Sequence, residues 1–154
     1  MSQPIENQII AAVVERLKGI RGSANSSYHF DAIVSDEPAT EERVRNGLVC
    51  VTVLDPVPVP ERAPLQHDEY NLPIQIDFFA AQSGASNDPS VDDRVRLMRA
   101  DIYAALWSDH TFGNLAYHME FDQPKRIDVG GAIVGRRMVV TIWYRTLRDD
   151  PYNQ

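Results

Sequence analysis

Neighbouring acidic residues are the side chains in this sequence whose spacing comes nearest to a catalytic pattern, because paired carboxylates can serve as acid and base. The pairs considered for this role are Asp36-Glu37, Glu41-Glu42, Asp92-Asp93 and Asp149-Asp150. Catalysis also needs carboxylates that converge in a cleft and have shifted pKa values. Solvated loops, a helix start and a tail explain these pairs more simply. A small hydrolase is the alternative, and it would require at least two of the acids in one pocket.

The remaining reactive side chains are isolated along the chain. Four histidines show no short ligand spacing: His29, His67, His110 and His118. The single Cys50 lies between two valines, which indicates a small buried side chain rather than a nucleophile. The sequence also lacks a Gly-x-Ser-x-Gly elbow and a phosphate-binding loop with a lysine. We therefore predict no catalytic, cofactor-binding or metal-binding residues and no enzyme activity.

One cluster of basic residues stands out near the end of the chain. Lys125 and Arg126 precede a turn at Asp128–Gly131, and Arg136 and Arg137 follow it. A hairpin would bring the two pairs together at one of its ends. There they could contact phosphate or an acidic partner, and a solvated hairpin end is the alternative.

The segment Asp55–Glu69 is unusually rich in proline. Four prolines fall within nine residues, at positions 56, 58, 60 and 64. Proline lacks an amide hydrogen, so this spacing excludes a helix and a central strand and predicts an extended arm or loop. Long loops in compact domains are more often functional than short ones. We treat four of its residues as candidate interface residues beside the basic cluster: Pro58, Pro60, Glu61 and Arg62.

Length and charge limit the classes of protein that this chain can be. Its 154 residues suit one domain, which we assign to residues 1–154. The net charge of −7 argues against binding nucleic acid through phosphate contacts. The charge is uneven, with a balance of −6 over residues 25–75 and +2 over residues 122–150. No stretch is long and apolar enough to span a membrane, and Glu6 precedes the first basic residue, so we expect synthesis in the cytoplasm.

The periodicity of apolar residues predicts two helices and five strands. The helices are expected at Ile5–Ile20 and Val91–Ser108. The strands are expected at Tyr28–Val34, Leu48–Leu54, Leu72–Ala80, Ala116–Phe121 (extending towards Ile127, with a break near Pro124) and Ala132–Thr146. Arg148–Gln154 is expected to be a loose tail. The predicted fold is α+β: a single mixed, mostly antiparallel sheet of about five strands with two helices packed on one face.

The segment Arg136–Leu147 has the highest density of β-branched and aromatic residues in the chain. Alternate residues are apolar on both of its faces, as with Val140 and Ile142 on one and Val139 and Trp143 on the other. This pattern predicts a central strand that is covered on both sides.

The order of these elements resembles that of a known family. The N-terminal helix is followed by acidic, proline-rich loops and by the segment Pro73-Ile-Gln-Ile-Asp-Phe-Phe-Ala80. Next come the helix Arg94-Val-Arg-Leu-Met-Arg-Ala-Asp-Ile-Tyr-Ala-Ala-Leu-Trp107 and a last strand that ends at Tyr144-Arg-Thr146, with Asp150-Pro151 just after. Over most of its length the chain resembles the tail terminator (tail completion) proteins of long-tailed bacteriophages.

The resemblance implies a structural protein of the virion, located at the head-proximal end of the tail. Its partners would be further copies of itself in a homohexameric ring, the tail tube protein and the head connector or head-completion protein. DNA would pass through the ring without specific binding, and an acidic inner wall would repel its phosphates. Another neck or connector component, or an adaptor that binds through the proline-rich segment, is the alternative.

Overall fold

The computed structural model describes residues 3–24, 27–59, 66–81, 90–129 and 133–154. It contains two helices, α1 (Ile5–Lys18) and α2 (Val91–Trp107). Its strands are β1 (Ile33–Ser35), β2 (Leu48–Val53), β3 (Val57–Pro58), β4 (His67–Ala81), β5 (His118–Phe121), β6 (Lys125–Asp128) and β7 (Ile133–Leu147).

All seven strands belong to one mixed sheet. Its main order is β1-β2-β4-β7-β5, while β3 pairs with β4 and β6 pairs with β7. The pair β1–β2 is parallel and the other pairs are antiparallel. The α+β prediction is confirmed, but the count of about five strands was too low. The predicted fourth strand divides into β5 and β6 around Pro124, and the proline-rich segment supplies β3.

Both helices lie close to their predicted positions. The Ser90 hydroxyl accepts a hydrogen bond from the backbone N–H of Asp93 at 3.2 Å and so caps α2. Asp92 and Asp93 lie in the first turn of α2, where negative charge complements the helix dipole. The helix α1 ends two residues before the predicted Ile20, which is nevertheless fully buried.

A single core joins both helices to one face of the sheet. Its fully buried members include Ile9 of α1 and Ile102 of α2. The register of β4 and β7 places Ile74 opposite Val140, and both contribute to the same core. The helices therefore pack on one face, which carries alternate residues of the central strands.

No helix of the described residues lies over the other face of the sheet, which differs from the prediction that β7 is covered on both sides. Val139, Thr141 and Trp143 are only partly buried. A second, smaller cluster lies at one end of this face and includes Val44, which belongs to the connection between β1 and β2, and Phe79. The remainder is a sheet face that meets solvent, as antiparallel sheets allow.

Strand β4 begins at His67, five residues before the predicted start, and pairs with β7 along its whole length. Pro73 lies within it without breaking that ladder. The Pro73 carbonyl accepts a hydrogen bond from Leu54 N–H at 3.0 Å, so its nitrogen also faces the side of β2. The last β2–β4 pair is Val53 with Ile74, and the missing N–H of Pro73 therefore falls at the end of that ladder.

Two segments at the periphery differ from their predictions. The strand expected at Tyr28–Val34 is formed only at Ile33–Ser35. The tail expected to be loose at Arg148–Gln154 is exposed, but it is tied to the domain by hydrogen bonds. Ile5 N–H donates to the Pro151 carbonyl at 2.9 Å, and Arg148 N–H donates to the Gln66 carbonyl at 3.0 Å.

Candidate functional site

The register of β6 and β7 brings the four predicted basic residues together. Lys125 lies opposite Arg137, and Arg126 lies opposite Arg136. Directly opposed residues share a face, so one basic pair lies on the helix-covered face and the other on the uncovered face. The sequence therefore predicted the cluster, but only the register shows that it is divided between two faces.

Carboxylates partly neutralise this cluster. Arg137 donates two hydrogen bonds to Asp77, from Nε at 2.9 Å and from Nη2 at 3.1 Å. These bonds raise the pKa of Arg137, and Asp77 itself is almost fully buried. Arg136 lies 3.9 Å from the carboxylate of Asp92 at the start of α2. The Asp77–Arg137 pair thus links β4 to β7 and also neutralises part of the charge of the basic cluster.

The proline-rich segment is only partly described by the structure. Pro58 lies in β3 opposite Tyr70, and the Val59 N–H donates to the Glu69 carbonyl at 2.8 Å. The beginning of the predicted arm therefore adds to the sheet, and the residues from His67 to Glu69 belong to β4. Pro60, Glu61 and Arg62 lie outside the described residues.

The acidic pairs lie where a structural explanation suffices. They occupy the bend after β1, a turn, the first turn of α2 and the turn that follows β7. No group of three or more His, Cys, Asp or Glu suited to a metal occurs among residues 3–24, 27–59, 66–81, 90–129 and 133–154. Cys50 is 2% exposed, and burial raises the pKa of its thiol, in agreement with the predicted buried side chain.

A buried carboxylate that sequence reasoning missed connects α2 to the segment before β1. Asp101 is 2% exposed and accepts hydrogen bonds from the backbone N–H and the Nδ1 of His29, at 2.5 and 2.7 Å. The sequence offered one signal of this contact: Asp101 is a charged residue directly before Ile102, which belongs to the apolar stripe of α2. These bonds hold His29 against the helix. The backbone of residues 30–32 bonds to Ile20 and Gly22, and β1 begins only at Ile33.

A second missed pair joins β4 to β7 on the uncovered face. Glu69 and Arg145 are directly opposed, and 3.8 Å separates Glu69 Oε2 from Arg145 Nε. The Glu69 side chain is 1% exposed, whereas the Arg145 guanidinium lies 4.6 Å above the centre of the Tyr117 ring. Neither of these two buried atoms has a hydrogen-bond partner among the described residues, so the contact is a long ion pair between the two long strands.

The turn after α2 is organised by Asp109. Its carboxylate accepts hydrogen bonds from the Thr111 hydroxyl at 2.6 Å and from Gly113 N–H at 2.8 Å, and Arg16 of α1 approaches to 3.4 Å. These bonds, that of Thr111 above all, lower the pKa of Asp109 to about 2. The ionised carboxylate therefore stabilises the link between the two helices.

Replacing Asp109 with Asn is expected to destabilise the protein at neutral pH and to have no such effect in strong acid. Because folding lowers the pKa of Asp109, its contribution is fully present above the unfolded value near 3.8. It is lost as the pH falls through about 2. Urea unfolding of the wild type and Asp109→Asn from pH 6 downward measures the difference. A difference that stayed constant across this range would contradict the assignment.

The central part of the uncovered face has no covering element among the described residues. Alternate residues of β4 and β7 form it, with Gln75 opposite Val139 and Pro73 opposite Thr141. These side chains are half-buried and mix apolar with polar groups. We call the set Pro73, Gln75, Val139, Thr141 and Trp143 the open face.

Neither helix of the described structure is both long and apolar enough to cross a membrane. No protein-family model matches the chain, and the search of curated proteins found no match.

Proposed function

We propose that this chain is a structural protein of a bacteriophage tail, which caps the tail tube as a homohexameric ring and provides the surface that joins tail to head. The resemblance in element order to tail terminator proteins leads to this function. The α+β fold, with one mixed sheet and two helices, agrees with it. In this function the chain acts through its surfaces, with no catalytic group.

The observation that best supports the proposal is the open face. The two longest strands of the sheet leave alternate residues half-buried there, and Trp143 contributes a large aromatic ring between polar neighbours. A mixed polar and apolar surface of this kind suits contacts between subunits that also exist as free molecules. Stacking of rings on a tube would bury it.

Charge is the second support for a repeated contact. Acidic residues predominate over residues 25–75, whereas the end of the β6–β7 hairpin presents basic residues. In a head-to-tail arrangement of identical copies, the acidic surface of one copy can contact the basic surface of the next. Such an arrangement closes into a ring when the rotation between neighbouring copies divides evenly into a full turn. The remaining acidic groups would line a channel through which DNA slides.

Electron microscopy of the purified chain tests this function. We expect sixfold rings at high protein concentration, or at the ends of tubes assembled from a tail tube protein of the same phage. Val139→Lys should abolish attachment to tubes, because it places a charge in the centre of the open face. Ala11→Lys, at an exposed position of α1, is the matched control and should leave attachment unchanged.

A chain that stays monomeric in light scattering at every concentration, and also in the presence of its tube protein, would contradict the proposed function. Equal attachment by Val139→Lys and Ala11→Lys would instead contradict only the use of the open face. A ring with a basic inner wall would overturn the role of acidic residues in the passage of DNA.

A further inference from the structure

A groove of about 560 Å³ lies between α2 and the edge strand β5. Exposed aromatic residues form one of its walls, since Tyr103 and Trp107 are each 44% exposed and their rings stack with centres 6.0 Å apart. The Phe121 ring of β5 approaches Tyr103 to 4.4 Å. Large aromatic side chains on a free surface are typical of contact sites.

Among the described residues, no strand pairs with β5 on the side of this groove. In the sheet, β5 has β7 as its neighbour. Asp122 N–H donates to the Val139 carbonyl at 3.1 Å, and in an antiparallel ladder the bonded residues alternate. The N–H and C=O groups of Met119 and Phe121 therefore point away from β7. They form an edge to which a further strand can pair.

The charges that line the groove are not equally available. The Asp122 carboxylate accepts the backbone N–H of Val139 at 2.7 Å, and Glu120 lies 2.9 Å from His118. Arg99 is exposed and has no hydrogen bond or ion pair to any residue in the described part of the chain. Among the charged side chains that line the groove, Arg99 is therefore the one without a partner in the described part of the chain.

The groove also has a direction. The start of α2 lies beside β7 near β6, where Asp92 approaches Arg136, and its later residue Tyr103 contacts Phe121 of β5. The helix thus runs from the β6 end of the edge towards β5, so that Arg99 comes before the aromatic residues in this direction. A strand added antiparallel to β5 would meet Arg99 first and the aromatic wall afterwards.

We propose that this groove binds an extended segment of another protein by adding it as a strand to β5. The segment has a carboxylate near its N-terminal end for Arg99, followed by apolar side chains at every second position for Tyr103, Trp107 and Phe121. Backbone bonds to Met119 and Phe121 provide affinity, and the alternate side chains provide specificity. This binding does not depend on ring formation or on the open face.

A blocked seven-residue peptide tests the proposal, with Glu at position 1, Val at positions 3, 5 and 7, and Thr between them. Titrated into the ¹⁵N-labelled protein, it should shift the amide signals of Met119 and Phe121. Arg99→Glu should weaken its binding about tenfold at low salt, because an attraction is replaced by a repulsion. A peptide with Lys at position 1 should show the opposite preference, and Arg45→Glu, an exposed control, should change neither.

Backbone methylation separates strand addition from simple apolar contact. Two further peptides carry N-methyl groups on either the valines or the threonines. Strand addition requires that one of them loses binding while the other keeps it, since only alternate N–H groups of the peptide face β5.

Three results would overturn the proposal: no shift at millimolar peptide, equal binding by both methylated peptides, or shifts that lie away from β5 and α2. Shifts of Met119 and Phe121 that grow with protein concentration in the absence of peptide would overturn the identity of the partner, because a second copy of this chain would then occupy the groove. None of these results alters the ring test, which uses the open face.

Discussion

Replacing Asp101 with Ala is expected to lower the free energy of unfolding by about 2 kcal/mol, since a part-buried backbone donor loses its charged acceptor. Asp101 holds both the backbone N–H and the imidazole of His29 from a position inside α2. The variant leaves that N–H without a partner near the apolar core, and the segment before β1 loses its attachment to the helix. Urea denaturation followed by circular dichroism gives the change directly.

The companion variants separate the two hydrogen bonds. His29→Ala removes only the imidazole contact, and because that side chain is 51% exposed, we expect a loss of less than about 1 kcal/mol. Asp101→Asn keeps an oxygen for the backbone N–H and should fall between the two. Equal losses for His29→Ala and Asp101→Ala would show that the backbone contact contributes nothing.

Replacing Gly47 with Ala is expected to cost about 3 kcal/mol, from a strained backbone and a steric clash together. Gly47 has φ of +88°, and a Cβ there would lie 2.7 Å from the Asp31 carbonyl oxygen. Its own N–H donates to the Phe79 carbonyl, and its carbonyl accepts the Ile33 N–H. These two bonds hold the Gly47 backbone in place, so that it cannot move away from Asp31 to make room for a Cβ.

Gly113 provides a matched control for this substitution. Its φ of +69° is also positive, but a Cβ at that position would meet no atom within 4 Å. Gly113→Ala should therefore show only the cost of the left-handed backbone, about 1 kcal/mol. Thermal or urea unfolding of both variants measures the difference, which isolates the close approach of Asp31. Equal losses at the two positions would contradict the clash at Gly47.

Short-range signals predicted α2 most closely. Its capping serine, its acidic first turn and its apolar stripe are local features, and the structure places the helix at Val91–Trp107. Strand β7 was likewise predicted within one residue at each end, because most of it, Arg136–Leu147, is a run rich in β-branched and aromatic residues without Gly or Pro. The cluster of four basic residues followed from the hairpin that precedes β7.

Contacts between distant residues decided what local patterns left open. A proline at position 73 does not suggest that a strand continues on its N-terminal side. Strand β4 nevertheless begins at His67, because β7 pairs with it along its whole length. The same apolar pattern that indicated two covered faces of β7 is compatible with the open face, because periodicity does not say how many layers a sheet carries. The buried contacts of Asp101 and Glu69 also depend on partners far away in the chain.

The sequence by itself determined the α+β class, the two helices, the long strand β7 and the basic hairpin end, since each follows from spacing within a few residues. Only the tertiary structure decided the seven-stranded order, the division of the basic cluster between two faces and the groove beside β5. These features arise from the register between strands and from the placement of α2 against them. A shift of one residue in that register would exchange the two faces of the sheet.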